Sequence, residues 1–285
     1  MTGEARTAKT RAKATLRRVA LNSVKTVAGL GDRLAPPPPG VVVLIYHRVG
    51  ARVTSEIDMP SALFARQMEW LADRGRAATL DDALAALTAT TRPVPDPVVV
   101  TFDDGTADFA DEVVPVLQRF NVPATLYVAT DFVERGIAFP ADGHPVSWSA
   151  LADAASTGLV TIGSHTHTHA LLDRLPADEV AEELDRSVGL IGDRLGLAAR
   201  HFAYPKAVAG SAAADAAIRE RFASAALAGT RPNAYGATDP FALARSPIQV
   251  ADAMRWFEAK VEGGMALEDG LRRTLNRGRY AGATT

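Results

Sequence analysis

The sequence predicts a parallel β/α fold. Two observations carry this. Short, continuous apolar runs rich in β-branched residues recur along the chain, as expected of strands buried on both faces. Between them lie segments whose apolar residues repeat with helical period. A third observation narrows the chemistry. The 285 residues contain no cysteine, which excludes disulfides, thiolate metal sites and a cysteine nucleophile. Any metal must be held by His, Asp, Glu or backbone, and there are six histidines in all.

The elements follow in order. Pro36 to Pro39 and Gly40 form a punctuator that no helix crosses, so the folded domain is expected to begin at about residue 41. VVVLIY (41–46) is the first strand. Leu63, Phe64, Met68 and Leu71 share a helix face that ends at Gly75; VVVTF (98–102) is the second strand. Phe109, Val113, Val116, Leu117 and Phe120 fall at helical spacing, and ATLYV (124–128) is the third strand. Trp148 opens a short helix before LVTI (159–162). Val180, Leu184, Val188, Ile191 and Leu195 mark a long helix, HFAY (201–204) a short strand, and the alternation continues to about Phe257. Trp70 and Trp256 sit in helical patterns and read as packing residues. Periodicity fits a barrel and an open doubly wound sheet equally. No GxGxxG or GxxxxGK[ST] is present, so a nucleotide-phosphate cradle is unsupported and no nucleic-acid partner is expected.

The net charge of −2 hides an asymmetry. Residues 1–34 hold eight Lys/Arg against two Asp/Glu, a net of +6 that leaves −8 for the rest. This leader reads as a solvated tail or as an amphipathic surface helix. In the second reading Leu16, Val19, Ala20, Val24 and Val27 face an anionic membrane among Arg17, Arg18 and Lys25. Its uncharged stretches are too short for a secretory h-region, and no segment reaches the ~18 apolar residues of a membrane span. The expected location is cytoplasmic or peripheral to a membrane, with possible contact through residues 1–34.

Parallel β/α folds build their sites at the C-terminal ends of the strands. Those ends carry Tyr46-His47-Arg48, Asp103-Asp104-Gly105, Gly163 to His169 (GSHTHTH) and Tyr204-Pro205-Lys206. Adjacent aspartates reach one site only where the strand ends and the backbone turns, and Gly105 supplies that freedom. Asp-Asp-Gly is also an ordinary turn, or a helix N-cap with Asp108 as a competitor. His165 and His169 bind one divalent ion if their loop takes a helical turn, which points His167 away. Two imidazoles and one Asp make a triad with open positions, and water on such a metal ionises near neutral pH. The bland alternative is surface histidines in a polar loop.

TFDDG (101–105), SHTHTH (164–169) and FAYP (202–205) together resemble the core motifs of the polysaccharide deacetylase family, the NodB-homology carbohydrate esterases. YHRV (46–49), PATLYV (123–128), SW (147–148) and LARSPI (243–248) add to the resemblance, which spans roughly 41–262. It implies a distorted (β/α) barrel of about seven strands. It implies that Asp104, His165 and His169 hold a divalent metal, Zn²⁺ first and Co²⁺, Ni²⁺ or Mn²⁺ as alternatives, and that Asp103 is the catalytic base. Thr166 matches the Ser/Thr that props the histidine loop. The implied activity is removal of acetyl groups from carbohydrate, N-acetyl or O-acetyl, with an oxyanion held by the metal and a backbone N–H near Lys206.

The chain departs from the pattern in places. Ala203 stands where many members have the Arg that orients the catalytic Asp, and Arg245 is the candidate replacement; its alternative is a surface ion pair. The family's late histidine, its general acid, has no counterpart after His201, so His47 is the candidate for acid or orienting group, against a structural role. Lys206 replaces the usual aromatic after Pro205. Trp148 and Tyr204 are the candidates for stacking a sugar, against plain core packing. Competing functions are a cyclic amide or imide hydrolase on the same scaffold and a silent carbohydrate-binding protein. The expected organisation is a basic segment and Pro-rich linker over 1–40, the deacetylase domain over 41–265, and a tail over 266–285.

Overall fold

The computed structural model describes residues 24–271. Seven parallel strands form its centre: β1 (Gly40–Tyr46), β2 (Val98–Phe102), β3 (Ala124–Val128), β4 (Val160–Ser164), β5 (His201–Ala203), β6 (Ser224–Ala228) and β7 (Leu243–Pro247). Each pairs with the next in sequence, and β7 pairs back onto β1, so the sheet is a closed barrel. Val43 is the register point of closure, opposite Arg245 on one side and Val99 on the other.

Closure explains why the strand sequences read as unbroken apolar runs. Both faces are covered, and alternate side chains go to different cores. Val42, Leu44, Val98, Val100 and Leu126 face the surrounding helices. Val41, Val43, Val99, Tyr127, Ala203, Ala226 and Leu243 fill the barrel interior. Tyr127 needs Gly163 beside it: a β-carbon there would lie 2.7 Å from the tyrosine ring and 2.8 Å from the His201 carbonyl oxygen.

Helices wrap this centre: α1 (24–34), α2 (Ser61–Asp73), α3 (Leu80–Thr88), α4 (Val114–Phe120), α5 (Thr130–Arg135), α6 (Trp148–Ser156), α7 (Ala177–Leu195), α8 (Ala212–Arg221) and α9 (Ala253–Val261). Residues 266–271 are also helical. The stripe expected on the long helix is present in α7, where Val180, Leu184 and Ile191 are buried. The turn ahead of α4, Phe109–Val113, is a π-helix rather than regular α. Trp70 packs edge-on against Phe257, and Trp256 is buried, both as packing residues. Among the described residues no helix is long and apolar enough to cross a membrane.

The packed unit extends past the edges expected at 41 and 265. In α1, which precedes the proline run, Lys25 and Ala28 are buried, and Glu268 and Asp269 are buried in residues 266–271. The physical reason is a buried charge cluster. Asp252, fully inaccessible, accepts from Lys25 Nζ (2.5 Å) and Lys260 Nζ (2.8 Å), and Lys260 also donates to the Pro247 carbonyl (2.8 Å). Burial pushes the Asp252 carboxyl pKa up, but the two ammonium groups pull it further down, so it stays ionised. One cation of the basic leader is therefore spent holding α1 to the barrel; Leu16, Val19 and Ala20 of the expected surface helix lie outside the described residues.

Removing Asp252 strands two buried ammonium groups, so Asp252→Ala is expected to cost about 3–5 kcal/mol of stability in urea unfolding. Arg135→Ala, which removes an exposed pair with Asp131, is expected to cost at most about 1 kcal/mol in the same assay.

Candidate active site

The strand alternation that fills the barrel also aims its polar groups. Asp103 lies two residues beyond Thr101 in β2, just past the strand end, and Arg245 points inward from β7. Arg245 Nη1 and Nη2 donate to Asp103 Oδ1 (2.6 Å) and Oδ2 (2.8 Å), a bidentate fork. Nη1 also donates to Thr101 Oγ1 (3.1 Å), and the guanidinium lies 5.1 Å from the centre of the Tyr127 ring. Arg245 is wholly buried, so it is not a surface ion-pair residue. Burial pushes the Asp103 pKa up, but the charge and hydrogen bonds of the Arg245 guanidinium outweigh it and hold the carboxyl at about 2.

Asp104 faces a different group of partners because the backbone turns sharply. Asp104 takes φ +76° and Gly105 φ +97°, both in the left-handed region. Its Oδ1 lies 3.7 Å from His165 Nε2 and 3.5 Å from His169 Nε2. One ligand atom from each of the three lies within 4.8 Å of the others. Metal–ligand bonds of ~2.0–2.2 Å in a tetrahedral arrangement place ligand atoms roughly 3.4 Å apart, so the set fits a divalent ion. His165 Nδ1 donates to the Ala203 carbonyl (2.7 Å), which leaves the Nε2 lone pair facing Asp104. Burial, then the neighbouring His165, lowers the His169 pKa to about 4, so its lone pair is free at neutral pH.

The histidine loop does not take the expected helical turn. Thr166 (φ +64°) and His169 (φ +63°) are left-handed, and these two residues fold the loop so that both imidazoles converge. His167 is turned away, as expected, and its Nδ1 lies 2.9 Å from Thr130 Oγ1. The loop is propped by a residue that carries no sequence signal, Glu183 of α7. Its Oε2 accepts from the N–H groups of His167 (2.9 Å) and Thr168 (2.8 Å), and its Oε1 accepts from Thr168 Oγ1 (2.7 Å). The Thr166 hydroxyl, expected to prop the loop, is buried without a hydrogen-bond partner. Glu183 reads in sequence as one of several acidic residues on a solvated helix face, so only the fold reveals it.

The remaining candidates are distributed unevenly. His47 is half-buried at the end of β1, near Asp103. Lys206 is exposed in a left-handed conformation (φ +52°) after buried Pro205, and its charge acts on His169. Tyr204 is not an exposed stacking platform: it is 3% exposed and packs edge-on against Phe202. Trp148 is half-buried against the apolar core, and its Nε1 donates to Glu134 (2.8 Å), which also pairs with Arg194. Asp108 caps no helix; it accepts from the Val49 N–H (2.7 Å). A surface depression of about 690 Å³ opens beside Pro36 to Pro38 and Asn233, at the start of β1, and contains none of the active-site groups.

The polysaccharide deacetylase family model matches residues 91–222, which include all three core motifs. The barrel is similar to polysaccharide deacetylase domains. This domain is 26% identical over 169 residues to YxkH of Bacillus subtilis, whose name assigns it to the same family; the match covers 59% of this chain and 57% of that protein. It is 26% identical over 145 residues to the poly-β-1,6-N-acetyl-D-glucosamine N-deacetylase of Escherichia coli, covering 46% of this chain and 21% of that protein. The matches thus span little more than half of one curated relative and a fifth of the other. Among solved structures, IcaB from Ammonifex degensii superposes with TM-score 0.68 at 25% identity, covering 79% of this chain and 98% of that one. The Streptococcus pyogenes deacetylase PplD, solved with acetate, gives 0.69 at 21% identity over 79% and 99%, a likeness of fold. The chain therefore has the expected seven-stranded (β/α) barrel.

Two outcomes follow from the geometry. Glu183→Ala is expected to weaken Co²⁺ binding to the metal-free protein by about 10–100-fold in a spectroscopic titration. His169, with its pKa near 4 in the folded state against 6.5 ordinarily, takes up a proton more readily when unfolded. Stability of the metal-free protein is therefore full above pH 6.5 and falls as the pH drops from 6.5 toward 4. In urea unfolding across that window, His169→Gln is expected to show the shallower pH dependence.

Proposed function

We propose that the protein is a metal-dependent deacetylase that hydrolyses N-acetyl groups on a carbohydrate polymer. The observation that carries this reading is the pairing of two differently treated aspartates. Asp103 is locked to Arg245, while Asp104 is turned by a left-handed backbone toward His165 and His169. One carboxylate is thereby kept for proton transfer and the other for a divalent ion, Zn²⁺ or a similar metal. The family match and the name of the E. coli relative support acetylated glucosamine as the substrate class.

A divalent ion held by Asp104, His165 and His169 supplies Lewis acidity to a water and to the acetyl carbonyl. The chain's own groups do the rest. Asp103, ionised throughout the neutral range, takes the proton of the attacking water. Arg245 fixes both carboxylate oxygens, so the base keeps one orientation and its negative charge is stabilised. His165 stays oriented through its bond to the Ala203 carbonyl. A backbone N–H beside Lys206 is assigned to the developing oxyanion. His47, near Asp103 at the rim, is assigned the proton that the leaving amine needs. Sugar contact falls to Lys206 and to Trp148 rather than to buried Tyr204.

The decisive test is acetate release from acetylated glucosamine oligomers, acetylated xylan and cyclic imides, with and without chelator. Release from the glucosamine oligomers alone, abolished by chelator, is expected; turnover of imides without acetate release would overturn the reading. Asp103→Asn is expected to lower kcat by at least 10³-fold while Co²⁺ binding is retained, since the metal ligands are untouched. Arg245→Met, which frees the base from its fork, is expected to lower kcat with little change in Co²⁺ affinity.

A further inference from the structure

Five of the eight large apolar side chains exposed among the described residues lie on two adjoining segments. Val27, Leu30 and Leu34 are on α1, and Leu267 and Leu271 are on residues 266–271. The segments touch: a β-carbon on Gly31 would lie 3.2 Å from the Leu267 side chain, and the Asp32 carboxylate accepts from the Met265 N–H (2.7 Å). At 100° per residue, Val27, Leu30 and Leu34 fall on one face of α1, and Lys25, Ala28 and Asp32 on the opposite face, toward the barrel. The apolar stripe is therefore not an unfinished core. The helix has already buried its other side.

The charge around this patch is distinctive. Residues 1–23, which lead into α1, contain six Lys/Arg and one Glu; residues 272–285, which follow Leu271, contain four Arg and no acid. The two ends thus carry +9, which leaves −11 on residues 24–271. In the sequence, positive charge is concentrated in the two stretches that adjoin residues 24 and 271, the outer ends of the segments that carry the exposed leucines. Leu16, Val19 and Ala20 continue the spacing of Val27, Leu30 and Leu34 upstream in the sequence. A second copy of the chain is a poor occupant, because a twofold contact would bring the same basic ends face to face.

We propose that this face is an interfacial anchor for an anionic phospholipid bilayer. Val27, Leu30, Leu34, Leu267 and Leu271 enter the boundary between headgroups and acyl chains, and the flanking Lys/Arg meet lipid phosphates. The anchor adds to the deacetylase reading and does not depend on it. The Lys25–Asp252 bridge fixes the lipid-facing helix rigidly to the barrel.

The test is sedimentation of the full chain with phosphatidylcholine vesicles and with vesicles containing about one-third phosphatidylglycerol, at low and high salt. Binding to the anionic vesicles alone, weakened by salt, is expected. Leu30→Asp with Leu34→Asp is expected to weaken it by at least about tenfold, with circular dichroism and urea midpoint unchanged, while Leu197→Asp, exposed elsewhere, has no effect. Equal binding of wild type to neutral and anionic vesicles, or undiminished binding by the folded double variant, would overturn the proposal. So would light scattering that shows a dimer which the double variant dissolves, because the patch would then be covered by a second copy.

Discussion

The fork between Arg245 and Asp103 depends on barrel closure, and the site depends on the fork. The two residues are far apart in sequence and meet only because β7 pairs with β1 on the side opposite β2. A buried charge pair of this kind contributes little net stability, since desolvation offsets most of the attraction. Its value is positional. It fixes both carboxylate oxygens of Asp103 in one orientation. Tyr127 and Thr101 then brace the guanidinium from inside the barrel, so the interior packing serves the chemistry directly.

The histidine loop meets a similar demand by other means. Its two converging imidazoles come from one short segment, yet no regular element holds them. The convergence is built from two left-handed residues, a carbonyl on the neighbouring strand and a carboxylate on α7. Each of these is a different part of the fold, so the loop is only as well defined as the packing of α7 against β4.

Much of this was legible in the sequence. The β-branched runs of β1, β2 and β3 announce strands buried on both faces, and the ordered motifs place Asp103, Asp104, His165 and His169 at one rim. Less regular elements were opaque. β6 is Ser-Ala-Ala-Leu-Ala, whose small residues carry no β signal; it is a strand because its neighbours pair with it. Glu183 was invisible because its role is fixed by tertiary distance alone. Tyr204 was misread as exposed because a motif gives position along the chain and not depth. The Thr166 hydroxyl is buried without a hydrogen-bond partner, while Glu183 bonds the backbone of the loop, a difference that the motif does not carry. The packing of α1 was not legible, because a buried lysine in a basic leader looks like any other lysine until Asp252 is placed beside it.

The filled interior has a consequence for traffic. Tyr127, Arg245 and the valines of β1 and β2 plug the barrel beneath Asp103, and Gly163 exists to let that plug seat. Among the described residues, these buried side chains fill the centre of the barrel. Under the proposed function, the acetate cut from a bound polymer would back out through the mouth that the polymer itself covers. Release of the small product and movement of the long one would then be coupled by geometry, and a chain that stays bound would hold the door against its own leaving fragment.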